Sequence, residues 1–195
     1  MENLLTKTAS FALSVLAQYI RPGDRVVDAT VGNGKDTLKL CQLVGETGTV
    51  YGFDIQPQAL HNAASLLQEN GWNNTQLFRA SHAEIAKLVQ ENIQAAIFNL
   101  GYLPGGSHSV TTCVKETKKA ILACLNLLKK DGALAVVFYP GHPDGAEEKA
   151  QLLPWASGLD ARCFHCVHAE MINQSAAAPS VLFLTKKKEG TFFEP

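Results

Sequence analysis

This chain has no apolar run near the ~20 residues that a membrane-spanning helix needs. Its first stretch, "MENLLTKTASFALSVLAQYI", carries an acid at position 2 and no apolar block followed by a small-residue cleavage site, so it does not read as a secretory leader. It reads as an amphipathic first helix within residues 1–22, and a cytoplasmic location is expected. Charge of one sign is also missing. Seventeen Lys and Arg face 18 Asp and Glu, a net of −1, so no global basic field advertises a polyanion. The lysines at 115, 118 and 119, at 129 and 130, and at 186 to 188 read as solvated faces. The five cysteines are an odd, scattered set, which fits reduced thiols and not a disulfide framework. Cys163-Phe-His-Cys166 has His165 and His168 beside it, but no second C-x-x-C completes a zinc site, so strand packing is the default and no metal is expected. Repeats, low-complexity tracts and interdomain linkers are absent too, which leaves one domain over 1–195 closed by a tail at 187–195.

What is present is a regular alternation. Strand-like runs at 25–30, 49–54, 75–80, 95–100, 133–139, 161–172 and 180–186 are separated by helix-like segments near 35–44, 57–69, 83–91, 109–129 and 145–153. Strands alternating with helices imply right-handed crossovers and a doubly wound α/β sheet, mostly parallel. The last two strands are joined by "NQSAAAP" with no helix between them, so they should pair as an antiparallel C-terminal edge hairpin. Five β-α units closed by such a hairpin form the seven-stranded Rossmann-like layout of the methyltransferase variant of the nucleotide-binding fold.

In such sheets a ligand sits beyond the carboxyl ends of the strands, where the strand order reverses. The first strand runs into "DATVGNGKDT", where Gly32 and Gly34 allow a tight turn close to a ligand and the following helix points its amides at it. The second strand ends at Asp54, twenty residues past Gly34, where a carboxylate can accept from ribose hydroxyls; it can equally cap the helix that opens at Pro57. Ile55 and Gln56 follow, an apolar side and an amide suited to an adenosine. A dinucleotide loop needs Gly or Ala three residues after Gly34, and this chain has Thr37. Asp28 and Asp36 put negative charge near the loop, which repels a pyrophosphate but suits an ammonium and a sulfonium. S-adenosylmethionine carries both, and its amino-acid end can be held by Asp28, Asn33 and nearby backbone; NAD is the poorer fit. At the third strand's end, Ser81 and Glu84 make an S-x-x-E capping box, and Ser81 and His82 are also placed to touch an adenine.

The fourth strand leaves through "FNLGYLPGG", residues 98–106. Amino-methyltransferases of DNA and some proteins carry Asn/Asp-Pro-Pro-Tyr/Phe at this place. The side-chain carbonyl of Asn99 and the backbone carbonyl of Leu100 can accept two hydrogens from one amine, aiming its lone pair and offsetting the charge that grows on nitrogen. Tyr102 supplies a flat face for a base or a cation. His142, in "PGHPDG" after strand five, can take a proton or bind a phosphate; as an ordinary surface turn, the same loop would use Asp144 to cap the next helix.

Together, "DATVGNGKDT", "VYGFDIQPQAL", "FNLGYLPGG" with "VTT", "GHPDGAEE" and "INQ" resemble the bacterial tRNA 5-aminomethyluridine methyltransferase family, once grouped as rRNA methylases. The similarity runs from about Thr8 to Lys186. It implies S-adenosylmethionine-dependent methylation of the wobble-position amine, giving 5-methylaminomethyluridine. The implied partner is tRNA through its anticodon stem-loop, with no membrane and with a homodimer left open. Methylation of rRNA or of a small-molecule amine is the alternative. By the same resemblance, cofactor contacts fall on Asn33, Asp36, Asp54, Gln56, Ser81 and His82, and the reactive rim on residues 99–106 and His142. Two positions depart from pattern. Thr30 stands where methyltransferases in general have Gly, though this family shares the Thr, and Ser175-Ala176-Ala177-Ala178-Pro179 replaces a family preference for Asn and Pro after Gln174.

Overall fold

Alternation at period two decides which side chains of each strand face which layer. In the computed structural model, which describes residues 7–101 and 112–193, seven strands form one sheet in the order β3-β2-β1-β4-β5-β7-β6. They are β1 (Arg25–Asp28), β2 (Thr49–Asp54), β3 (Thr75–Arg79), β4 (Ile93–Asn99), β5 (Leu128–Phe138), β6 (Phe164–Ala169) and β7 (Ser180–Lys186). β1 to β5 pair in parallel, whereas β7 runs antiparallel between β5 and β6. This is the expected doubly wound sheet with its C-terminal hairpin.

Val27, Phe98, Leu134 and Leu182 point into one core, under α4 (Ile85–Leu88), α5 (Val114–Leu127) and α6 (Pro143–Ser157). Their strand neighbours Val26, Ile97, Ala135 and Val181 point into the other. That second core lies under α1 (Thr8–Leu16) and α2 (Lys35–Val44), with Leu67 of α3 (Pro57–Glu69) joining it. Both faces are buried, as parallel strands require. The order reverses between β1 and β4, so their carboxyl ends open a crevice.

Some boundaries differ from expectation. The first helix ends at Leu16, because Gln18 and Tyr19 donate three residues back to Val15 and Leu16, tightening the chain before Pro22 and the left-handed Gly23. The sixth strand is short: Asp160 captures the backbone of Arg162 at 2.8 Å before it, and a turn from Met171 to Gln174 follows it. Helix α6 runs past Pro154 to Ser157, the proline lying in its last turn. The described part of the segment after Lys186 packs back onto the domain. Phe193 stacks on Phe164 at 5.7 Å, and Asn126 accepts from the amides of both Phe192 and Phe193.

Candidate active site

A cleft of about 1030 Å³ opens at the carboxyl ends of β1, β2, β4 and β5. Its floor is the turn between β1 and α2. Gly32 and Gly34 both adopt positive φ, 51° and 78°, where a side chain is strained. Gly34 itself does not line the cleft. A Cβ there would stand 2.7 Å from the Cα of Ala63, so its smallness lets α2 pack on α3.

Asp54 fixes this turn from β2. One carboxylate oxygen accepts from the Gly32 amide and the other from the Gln56 amide, both at 2.9 Å. Each oxygen keeps a second lone pair free for a ligand hydroxyl; α3, whose N-cap is Gln56, receives no side-chain cap, since Asp54 holds only the Gln56 amide ahead of it. Gln56 and Ile55 line the same wall, and Ile55 is half exposed to the cleft. Asn33 also lines it, its Oδ1 accepting from Asn62 of α3 at 3.0 Å.

Asp28 is a correction. It is fully buried and lies behind the lining, where its carboxylate accepts from Thr37 Oγ1 at 2.6 Å and from the Thr30 amide at 3.2 Å. Burial pushes its carboxyl up to about 7, against the pull of the Thr37 hydroxyl. Thr37 therefore stands where a dinucleotide loop needs a small residue because it is the partner of Asp28. Of the two carboxylates beside the loop, the one that reaches the cleft is Asp36, in the first turn of α2.

Asp36 meets the tip of β4. The Asn99 side chain donates through Nδ2 to Asp36 Oδ2 at 2.8 Å, and its backbone amide donates to Thr30 Oγ1 at 2.7 Å. With Nδ2 engaged, Oδ1 of Asn99 is a buried acceptor that receives no hydrogen bond from the described residues. Thr30 thus has a reason to be Thr: its hydroxyl stitches the tip of β1 to that of β4. Leu100 lines the cleft too, and since its side chain sits in the core, its main chain is what the cleft meets. Tyr102 lies outside the described residues.

The opposite wall carries Ser81 and His82. Ser81 Oγ accepts from the Ala83 amide, as a cap does, but donates to Glu116 of α5 at 2.9 Å, and Glu84 turns to Lys87 at 2.6 Å instead of closing the box. His82 packs edge-on against Phe98; its Nε2 is buried with no partner among the described residues, and burial lowers the imidazole to about 4. It is a neutral ring set in the cleft wall. The Asp36 carboxylate at one end, this neutral ring at the other, and Asp54 and the apolar Ile55 between them fit a cofactor that combines a sulfonium with an adenosine.

His142 is placed differently from expectation. It, and not Asp144, caps α6: its Nδ1 accepts from the Gly145 amide at 3.2 Å. An imidazole that accepts at Nδ1 must carry its neutral-state proton on Nε2. That nitrogen lies 3.4 Å from where a Cβ on Gly101 would sit. His142 therefore carries its neutral-state hydrogen on a buried nitrogen packed beside Gly101, an arrangement that does not suit the removal of a proton.

Four lining residues carried little sequence signal: Thr112, Glu116, Tyr139 and Ala177. Thr112 Oγ1 accepts from the Gly101 amide and donates to Glu148, a buried carboxylate raised by its burial and held also by Thr117. Tyr139 sits just past the end of β5, where the strand-end rule would have found it. Ala177 and Pro179 bring the divergent 175–179 loop onto the cleft.

Known proteins share this sequence pattern and this fold. The family described as "Putative rRNA methylase" matches residues 50–185. An Arabidopsis thaliana protein named chloroplastic tRNA (mnm(5)s(2)U34)-methyltransferase is 36% identical over 193 residues, covering 93% of this chain and 70% of the relative. A Clostridium thermocellum structure bearing the same description as the family superposes with a TM-score of 0.90 at 35% identity, covering 95% of this chain and 98% of the other. A Streptococcus mutans structure solved in complex with SAH, the demethylated cofactor, gives a TM-score of 0.84 at 34% identity, over 95% of this chain and 99% of that one.

Proposed function

The chain belongs to the rRNA methylase family and is an S-adenosylmethionine-dependent methyltransferase, and from that premise we propose that it methylates the amine of 5-aminomethyluridine at the tRNA wobble position, giving 5-methylaminomethyluridine. The observation that carries this reading is the buried Oδ1 of Asn99, an acceptor with no partner among the described residues, on a side chain that lines the cleft and is held by its Nδ2 bond to Asp36. An acceptor at the tip of β4 has no use for a carbon nucleophile, and with the Leu100 carbonyl beside it suits a nitrogen, which has two hydrogens to give and must shed positive charge as it is alkylated. The name of the plant relative favours the wobble uridine as the bearer of that nitrogen.

In this reading Asp54 and Gln56 hold the ribose edge, Ile55, Ser81 and His82 hold the adenine, and Gly32 and Asn33 meet the amino-acid end. S-adenosylmethionine, when bound, supplies an electrophilic methyl on sulfur. The chain's own work is to orient. Asn99 Oδ1 and the Leu100 carbonyl accept two amine hydrogens and direct the lone pair. Tyr139 offers an aromatic wall, and His142, capping α6, holds the loop that frames the rim.

The test is nucleoside mass spectrometry of tRNA from cells lacking the enzyme, before and after incubation with the protein and S-adenosylmethionine. Conversion of 5-aminomethyluridine to its N-methyl product is expected. Methyl transfer into rRNA or a free amine, with tRNA unchanged, would overturn the tRNA assignment and leave the cofactor assignment standing.

A further inference from the structure

We propose that Asp36 receives the substrate's ammonium and takes its proton, so that one helix residue both aims Asn99 and prepares the nucleophile; this rests on the aliphatic-amine reading above. An alkylamine is protonated near neutral pH, its ordinary pKa being about 10 as in lysine, and a protonated nitrogen has no lone pair to give. Some group at the cleft has to accept that proton.

His142 is disqualified by its cap bond, since the neutral ring carries hydrogen on the buried nitrogen packed beside Gly101. Among the described residues, three carboxylates line the cleft: Asp36, Asp54 and Glu116. Asp54 is committed to two loop amides. Glu116 is exposed and occupied by Ser81, on the wall assigned to the adenine. Asp28 and Glu148 are buried away from the lining. Asp36 alone is tied to the reacting end, 2.8 Å from Asn99 Nδ2 and so one amide group from the acceptor oxygen. A nitrogen held by Asn99 Oδ1 stands beside it.

The charged surroundings suit the task. Burial raises the Asp36 carboxyl, the bond from Asn99 lowers it, and the exposed Lys39 and Lys35 of its own helix pull in the same downward direction. From β1 the buried Asp28 feels its charge, as does Tyr139 beyond β5. His142 completes the rim from the start of α6. A carboxylate with raised proton affinity is a better acceptor than a free one.

The step balances. The ammonium R–CH2–NH3+ gives one proton to the Asp36 carboxylate and becomes R–CH2–NH2. Its lone pair forms the new N–C bond to the methyl as the C–S bond breaks, with that electron pair staying on sulfur. The product is R–CH2–NH2+–CH3, and the proton on Asp36 passes to water.

Asp36→Asn keeps an oxygen to accept from Asn99 Nδ2 but removes the base. Two readouts follow. With no methyl donor present, the wild-type protein should prefer an aminomethyl-bearing anticodon stem-loop over its uridine counterpart, and D36N should lose that preference. With donor, D36N turnover at neutral pH should fall by ~10²-fold or more, then climb about tenfold per pH unit toward the amine's own pKa while the wild type stays level. Asp36 also lies near the donor's cationic end, so calorimetry should find S-adenosylmethionine affinity lowered, but by less than about tenfold, ~1.4 kcal/mol, and so far less than turnover. A pH profile parallel to wild type, a retained aminomethyl preference, or a loss of donor affinity that matches the loss of turnover would overturn the proposal. If the wild type itself leaves aminomethyl tRNA unmethylated, what fails is the substrate reading and not the role of Asp36.

Discussion

Asn99→Ala is the sharpest perturbation of this site. The backbone amide of residue 99 keeps its 2.7 Å bond to Thr30, so the tip of β4 should stay in place. Two things are lost: the buried acceptor Oδ1, and the donor that satisfies Asp36. Leaving the half-buried Asp36 carboxylate without its donor should cost at most about 1 kcal/mol of stability, since the cleft lets water take the donor's place. Removing one group aimed at developing charge should lower kcat by ~10²–10³, about 2.7–4 kcal/mol. S-adenosylmethionine affinity by calorimetry should change by less than about threefold, because the cofactor wall is built elsewhere. Asn99→Asp extends the logic. Two carboxylates 2.8 Å apart repel by about 6 kcal/mol at an effective dielectric of ~20, so the pair should hold one shared proton through neutral pH and titrate as a unit. Equal losses of donor affinity and turnover in Asn99→Ala, or turnover kept within about tenfold of wild type, would refute the reasoning.

Two further outcomes concern the scaffold. Gly34→Ala places a Cβ 2.7 Å from the backbone of Ala63 at a φ of 78°; left-handed strain and overpacking together should cost ~2–4 kcal/mol, seen as a lower urea midpoint along with weaker donor binding. The second concerns pH. Asp28, raised from 3.8 to about 7, keeps a proton in the native state that the unfolded chain has lost, so its contribution is full at acid pH and is lost as pH rises from about 4 to 7. His82, lowered from 6.5 to about 4, works in the opposite sense: the unfolded chain holds the extra proton, so stability rises over about pH 4 to 6.5. The two slopes, each ~1.4 kcal/mol per pH unit, should nearly cancel in the wild type. Asp28→Asn should unmask the rise and His82→Gln the fall, in chemical denaturation repeated across pH. Identical pH slopes in all three proteins would contradict the assigned burial.

Much of the architecture was legible because it depends on local pattern. Val26 and Val27, or Ile97 and Phe98, sit on opposite faces simply because successive strand residues do, and a chain buried on both faces shows this as continuous apolar runs. The glycine turn, Asp54 at the end of β2 and Asn99 at the end of β4 were legible for a related reason. Function in a doubly wound sheet gathers at strand ends, so position along the chain already says which residues meet. Helix ends were less so. Leu16 and Ser157 end their helices where hydrogen bonds and packing dictate, against what the proline and the apolar spacing alone suggested.

Sequence alone settled the sheet, the crevice and the kind of cofactor; it left open which polar atom faces the ligand. Asp28 and Asp36 look interchangeable beside one glycine loop, yet Thr37 turns the first into the interior and Asn99, 63 residues away, turns the second to the cleft. The cap bond from Gly145 makes His142 a donor, and the clasp of Gly101, Thr112 and Glu148 joins segments that no periodicity links. Burial side is written in the spacing of apolar residues, because every residue of an element shares it. The direction of a lone pair is set by whichever donor the tertiary fold brings beside it, and that partner comes from another part of the chain.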